Sequence, residues 1–154
     1  MKGKSMPVLV YLAGASRELE RVQKWAAALE RCSYITLAHR WFDTAHEWIG
    51  KDHTLSRKQQ AHLAEDEQLA IRSARIFWLL WPETKSPGAF IELGYALSHR
   101  FHVARYYAVI VSGDNASHSI FTATSDYRSD SDALAFDAVL SIASSYSQLN
   151  EGAR

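Results

Sequence analysis

Glu92 is the residue whose neighbours best equip it for chemistry. It lies in Ser86-Pro87-Gly88-Ala89-Phe90-Ile91-Glu92-Leu93-Gly94-Tyr95-Ala96-Leu97, which follows the apolar run Ile76 to Trp81, turns on Pro87 and Gly88, and opens a helix carrying one carboxylate. An apolar run without polar alternation is the pattern of a strand covered on both faces in a parallel sheet. Such sheets bind ligands beyond the carboxyl ends of their strands. With a helix over Phe90 to His99, Leu93, Ala96 and Leu97 face the sheet, and Glu92, Tyr95 and His99 fall on the opposite side. Glu92 then sits in the first turn, where the helix dipole favours ionisation. An ionised carboxylate at a strand-to-helix turn is a candidate nucleophile, although glutamate is also common in first turns for structural reasons.

A second carboxylate in the same cleft would allow acid–base work or orientation of a sugar. Glu65, Asp66 and Glu67 form an acidic knot on the helix expected just before the Ile76 strand; by periodicity alone they are a solvated face. Two turns suit an anion, the Gly14 turn with Arg17 and the Ser86-Pro87-Gly88 turn, through amides, a hydroxyl and a guanidinium. Neither matches a P-loop or Rossmann fingerprint, and each is equally an ordinary strand-to-helix turn. Trp41, Phe42 and Trp48 are candidates to stack on a planar base, which requires an exposed ring face. Trp25, Trp78 and Trp81 read as core or interface. The seven histidines, His99 and His102 being the closest pair, match no zinc spacing, and Cys32 is alone, so no metal is expected; no other cofactor is expected either. No nucleophile elbow for Ser-His-Asp catalysis is visible.

The elements that must position these groups alternate strand and helix. Pro7 to Leu12 reads as a buried strand. Ala13-Gly14-Ala15-Ser16 is a small-residue turn that brings amides towards a ligand, with Ser16 as N-cap of a helix over Arg17 to Arg31. Ser33 to Ala38 is a shorter strand, and His39 to Trp48 has the look of a functional loop. After a polar turn at Gly50 to Thr54, a helix is expected over Ser56 to Ser73, with Leu63, Leu69 and Ile71 among its apolar positions. Tyr106 to Val111 is another strand, Ser117 to Arg128 a polar and aromatic loop or short helix, and Asp132 to Ser147 a closing helix. The alternation predicts an α/β three-layer sandwich around a parallel sheet of about five strands.

Composition sets the outer bounds. At 154 residues and 47% hydrophobic content, residues 1–154 suit one domain with a real core. Lysine and arginine balance aspartate and glutamate at 17 each, so no global field recruits nucleic acid or an anionic membrane. The lone Cys32 rules out an internal disulfide and suits a reducing cytoplasm. Lys2 and Lys4 ahead of Val8 to Ala15 mimic a short signal peptide, but that run reads better as the first strand. No apolar stretch approaches the roughly 20 residues of a membrane span.

Val10-Tyr11-Leu12-Ala13-Gly14, Ile71-Arg72-Ser73-Ala74 and, above all, Gly88 to Ala96 make the chain resemble the nucleoside 2-deoxyribosyltransferase superfamily, which includes 2'-deoxynucleoside 5'-phosphate N-hydrolases and related cytidylate hydrolases. The resemblance spans most of the chain. It implies that Glu92 is the nucleophile attacking the anomeric carbon to form a covalent glycosyl-enzyme, and that Tyr11 positions it. Glu67 falls where the family usually has an aspartate facing base or sugar, with Asp66 as the neighbouring alternative; Arg75 stands where another aspartate is common. The position of Ser86 tends to be aspartate in transferases of free nucleosides. Monophosphate hydrolases tend to have serine there and arginine at Arg17. Against the hydrolases, Phe90 replaces a small residue, and His39 to Trp48 is more similar to transferase-like proteins. The resemblance also implies a homodimer or higher homo-oligomer, with Ser119 or Asn115 from a neighbouring subunit completing each site.

The expected activity is therefore cleavage of the N-glycosidic bond of a 2'-deoxynucleoside or its 5'-monophosphate, with a second base or water as acceptor. The expected partner is a small-molecule nucleoside or nucleotide, with neither a nucleic acid polymer nor a membrane. A non-catalytic nucleotide-binding or signalling module and an NAD-cleaving glycohydrolase are the alternatives.

Overall fold

A computed structural model describes residues 6–48, 55–102 and 106–152. The Lys2 and Lys4 arm, the Gly50 to Thr54 turn and part of the Phe101 to Tyr106 segment lie outside the described residues. Five strands, β1 (Val8–Ala13), β2 (Ile35–Leu37), β3 (Ile76–Leu80), β4 (Ala108–Ser112) and β5 (Tyr127–Ser129), form one parallel sheet in the order β2-β1-β3-β4-β5. The helices are α1 (Leu19–Glu30), α2 (Trp41–Trp48), α3 (Arg57–Ser73), α4 (Pro87–His102) and α5 (Asp132–Gly152). The chain runs outward from β1 to β2, then crosses back to β3 on the other side of β1. That reversal leaves a crevice beyond the carboxyl ends of β1 and β3, the place where doubly wound sheets bind ligands.

Alternation along the strands separates the two faces. Tyr11 pairs in register with Phe77, and their rings stack at 5.7 Å beneath α3 and α4. The next residues, Leu12 and Trp78, point the other way, where Trp78 meets Trp25 of α1 at 5.5 Å and Phe136 of α5 at 6.4 Å. Every residue of β3 and β4 is buried, which accounts for their unbroken apolar runs. On the α1/α5 face the buried polar groups of the described residues are partnered. Trp78 Nε1 donates to Ser112 Oγ at 2.9 Å, Ser112 Oγ donates to Asp132 at 2.7 Å, and Arg21 grips Asp132 through Nε at 2.8 Å and Nη2 at 2.9 Å. Burial would raise the Asp132 carboxyl, but donation from Arg21 and Ser112 holds it below its ordinary value. Gly113 follows β4 with φ +117°, and a Cβ there would lie 2.4 Å from Arg21 Nη2, so this network fits only around glycine.

Several elements differ from the sequence reading. Pro87 begins α4 rather than preceding it, as suits a residue with fixed φ and no N–H to satisfy. The buried stripe of α4 is therefore Ala89, Leu93 and Ala96, and Glu92 is past the first turn, on the flank of that stripe. The dipole argument for its ionisation does not hold. Ser16 does not cap α1; Glu18 holds that position, without a side-chain cap. Residues 41–48 are helical rather than a loop. The segment after β4 contains two 3-10 turns, Ala116–His118 and Ile120–Thr124, and then the short edge strand β5. Ser56 caps α3 in a reciprocal pair with Gln59, but the helix docks through Ala70 and Ile71, and Leu69 turns outward.

Ser112→Ala leaves the buried Trp78 N–H without an acceptor and removes one of the donors to Asp132, which should cost about 1–3 kcal/mol. Urea unfolding measures this, and an unchanged midpoint would contradict the network's role.

Candidate functional site

On the α3/α4 face, polar groups are left unpartnered. Tyr11 is fully buried in β1 and its ring lies under α4. Glu92 reaches back towards it from α4. The hydroxyl is close enough to favour the Glu92 carboxylate, yet it stops short of a regular hydrogen bond: Tyr11 Oη and Glu92 Oε2 are both buried without a partner. Burial, then the nearby charge of Glu67, push the Glu92 carboxyl up to about 8. Burial followed by Glu92 and Glu67 raises the Tyr11 phenol well above its usual value. Glu67 is itself raised, by burial and by Asp66. Neither Glu92 nor Glu67 forms an ion pair among the described residues.

These couplings identify the inward member of the acidic knot. Glu67 acts on both Tyr11 and Glu92, whereas Asp66 is exposed and lies 3.6 Å from His62. Asp66 also acts on His39, which follows β2 at the carboxyl end of the sheet. Burial lowers the His39 imidazole despite Asp66, and its Nδ1 is the third buried side-chain atom without a partner among the described residues. The chain Tyr11, Glu92, Glu67, Asp66, His39 thus joins all three orphaned atoms. Sequence reasoning placed His39 only within a functional loop, because a single histidine outside any motif carries no finer signal.

Trp41 corrects the stacking expectation. It is only 6% exposed, donates from Nε1 to Leu12 O at 2.9 Å, and packs edge-on against Phe42, itself 2% exposed. Neither ring offers an open face, and Trp41 anchors α2 to the end of β1. The Trp48 side chain lies outside the described residues.

The two turns flank the crevice. Gly14 is required by packing, since a Cβ would meet Val22 Cγ2 at 2.8 Å. Arg17 is exposed with no hydrogen bond or ion pair to the described residues, and Ser86 is half-buried directly before α4. Gly88 is exposed and has nothing within 4 Å of a Cβ position, so its surroundings are open. Ser119 lies beyond β4 and caps the second 3-10 turn by accepting from Phe121 N at 3.3 Å. Within one chain it makes no hydrogen bond to Glu92, Tyr11 or Glu67. Nor does Asn115, which adopts a left-handed conformation at φ 69°. Arg75 is at the amino end of β3, donating from its backbone to Leu9 O at 2.8 Å, and so stands away from the carboxyl-end crevice. Among the described residues no group of three or more His, Cys, Asp or Glu is placed to hold a metal ion, and no helix is long and apolar enough to cross a membrane.

No protein-family model matches the chain, and no curated protein matches it.

The raised Glu92 value has a consequence for stability. An unfolded glutamate titrates near 4.3, so between about pH 4.3 and about 8 the folded state holds a proton that the unfolded chain has released. Stability from this group is present at the acid end and lost as pH rises through that window. Glu92→Gln, neutral at all pH, should raise the Tm at pH 8 and leave it nearly unchanged near pH 4.5. A lower Tm at pH 8 would contradict the assignment.

Proposed function

We propose that the chain cleaves the N-glycosidic bond of a 2'-deoxynucleoside or its 5'-monophosphate, with Glu92 as nucleophile. The observation that carries this reading is the buried Glu92 carboxyl, without a counter-ion, between Tyr11 and Glu67 at the β1/β3 crevice. A carboxylate withdrawn from water gains most from positive charge that appears beside it, because the local dielectric is low. Departure of a base from a deoxyribosyl group creates such charge at the anomeric carbon. The substrate then supplies during reaction the cationic partner that the described residues do not.

The chemistry divides into two displacements. The Glu92 carboxylate forms a bond to the anomeric carbon as the carbon–nitrogen bond breaks, and the base leaves with the electron pair and takes up a proton. Water or a second base then attacks the same carbon and releases Glu92. Two inversions give overall retention. The Tyr11 hydroxyl, which favours the ionised carboxylate, closes to a full hydrogen bond as Glu92 ionises and so positions it for attack. Glu67 adds negative potential facing the sugar, and the unpartnered His39 Nδ1 is available to hydrogen-bond the base. Arg17 and Ser86, on the rim formed by the two turns, are the groups suited to a 5'-phosphate. The reading of the acceptor as water or base, and of a homo-oligomer completing the site through Ser119 or Asn115, rests on the family likeness.

A second reading draws on the same carboxyl. With a value of about 8, Glu92 is largely protonated at neutral pH, and a neutral acid can serve as a hydrogen-bond donor in a non-catalytic nucleotide-binding module. A chromatographic screen of deoxynucleosides and their monophosphates, each with and without an acceptor base, separates hydrolase, transferase and inert binder. Free base should appear, and Glu92→Gln and Glu92→Ala should lower its rate by on the order of a thousandfold or more. Full activity in either variant would refute the mechanism.

Two further outcomes follow for an active chain. Because attack needs the ionised form, kcat/KM should climb with pH, by about tenfold per unit, up to about 8 and then level off; a flat profile from pH 6 to 9 would contradict it. Ser86→Asp places a negative charge on the phosphate rim and should raise KM for monophosphates by roughly tenfold while leaving free nucleosides within about threefold. Equal effects on both substrates would remove the phosphate assignment.

A further inference from the structure

Glu18 joins the two turns that border the crevice. It follows the β1 turn directly after Arg17, yet its Oε1 accepts three hydrogen bonds from the β3–α4 turn: Glu83 N at 2.8 Å, Thr84 N at 2.8 Å and Thr84 Oγ1 at 2.9 Å. Its other oxygen accepts from Arg21 Nη1 at 3.1 Å. The same Arg21 nitrogen donates to Trp81 O at 2.8 Å, while the rest of the guanidinium holds Asp132. The β3–α4 turn is therefore fixed at its first residue by Arg21 and at its middle by Glu18, two residues before Ser86. A carboxylate that accepts two consecutive backbone amides and a hydroxyl fixes the path of a short segment far more tightly than one side-chain contact.

We propose that Glu18 is a positioning residue for the candidate site. It clamps the β3–α4 turn against the turn after β1, so that Ser86 and the start of α4 face an incoming ligand already assembled beside Arg17. A pre-ordered turn spares the ligand the cost of ordering it, so the clamp acts on binding and leaves the bond-breaking step alone. Its kinetic consequence rests on the N-glycosidase reading; its structural consequence does not.

The test compares the full chain with Glu18→Ala and Glu18→Gln. Glutamine keeps an oxygen that can accept the Glu83 and Thr84 donors. Amide hydrogen exchange at Glu83 and Thr84 should be about tenfold or more faster in Glu18→Ala, near the parent rate in Glu18→Gln, and unchanged at the β3 amides in both. With the monophosphate that the parent turns over, Glu18→Ala should raise KM about tenfold with kcat within threefold, and Glu18→Gln should restore most of the loss. If Glu18→Ala fails to fold, Thr84→Ala, which removes one of the three bonds, should give the same direction of change at about threefold. Equal exchange at Glu83 and Thr84 in parent and variant, or a fall in kcat with KM unchanged, would overturn the proposal. Should no substrate turn over, the N-glycosidase reading fails, and the exchange rates alone still decide for or against the clamp.

Discussion

A carboxyl withdrawn from water with no cation to meet it is the constraint on which the α3/α4 half of this molecule depends. Burial dominates the Glu92 environment, and a second acid, Glu67, adds to the cost of ionisation. Among the described residues nothing offsets it beyond a phenol that falls short of a regular hydrogen bond. Such an arrangement is unfavourable and persists because the sheet beneath is rigidly packed: Tyr11, itself fully buried, is locked between Val10 and Leu12 in β1 and stacked on Phe77. Strain of this kind is meaningful where a ligand can relieve it.

The opposite face shows the contrast. There the Asp132 carboxylate is met by Arg21, Ser112 and Trp25, each within 3.2 Å, and its value falls below normal. Both faces bury acids beneath the same five strands, but only one satisfies them. The satisfied network fixes the loops at the carboxyl ends of β3 and β4, and through Glu18 it reaches the turn that leads into α4. One half of the sandwich thus serves as a frame for the other, with rigidity on the α1/α5 side holding open groups on the α3/α4 side in place.

The central strands were legible in the sequence because β1, β3 and β4 are buried on both faces and so read as unbroken apolar runs. The fifth strand, Tyr127–Ser129, was not, since three partly exposed edge residues carry no such signature. The α2 helix was hidden by its brevity. Pro87 misled more seriously: read as a turn residue, it moved the start of α4 three residues too late and placed Glu92 at the helix dipole, on the side away from the sheet. In the structure burial governs its ionisation instead. Tyr11 and Glu92 lie 81 positions apart, and no periodicity links positions so distant; only the family resemblance paired them. That resemblance also singled out Glu67; in the structure its charge acts on both Tyr11 and Glu92. Exposure of an aromatic ring, as at Trp41, depends on which face of α2 meets the sheet and could not be read from residue type.

The central claim is that Glu92 becomes covalently attached to the sugar. Incubation with a 2'-deoxynucleoside fluorinated at the sugar 2'-position, which slows both displacements by disfavouring positive charge at the anomeric carbon, followed by intact-mass measurement and peptide mapping, tests it directly. The account predicts one added fluorodeoxyribosyl group on the peptide containing Glu92, and none on Glu92→Gln. Base release from the unmodified substrate without any adduct on Glu92, or an adduct on another residue, would contradict it.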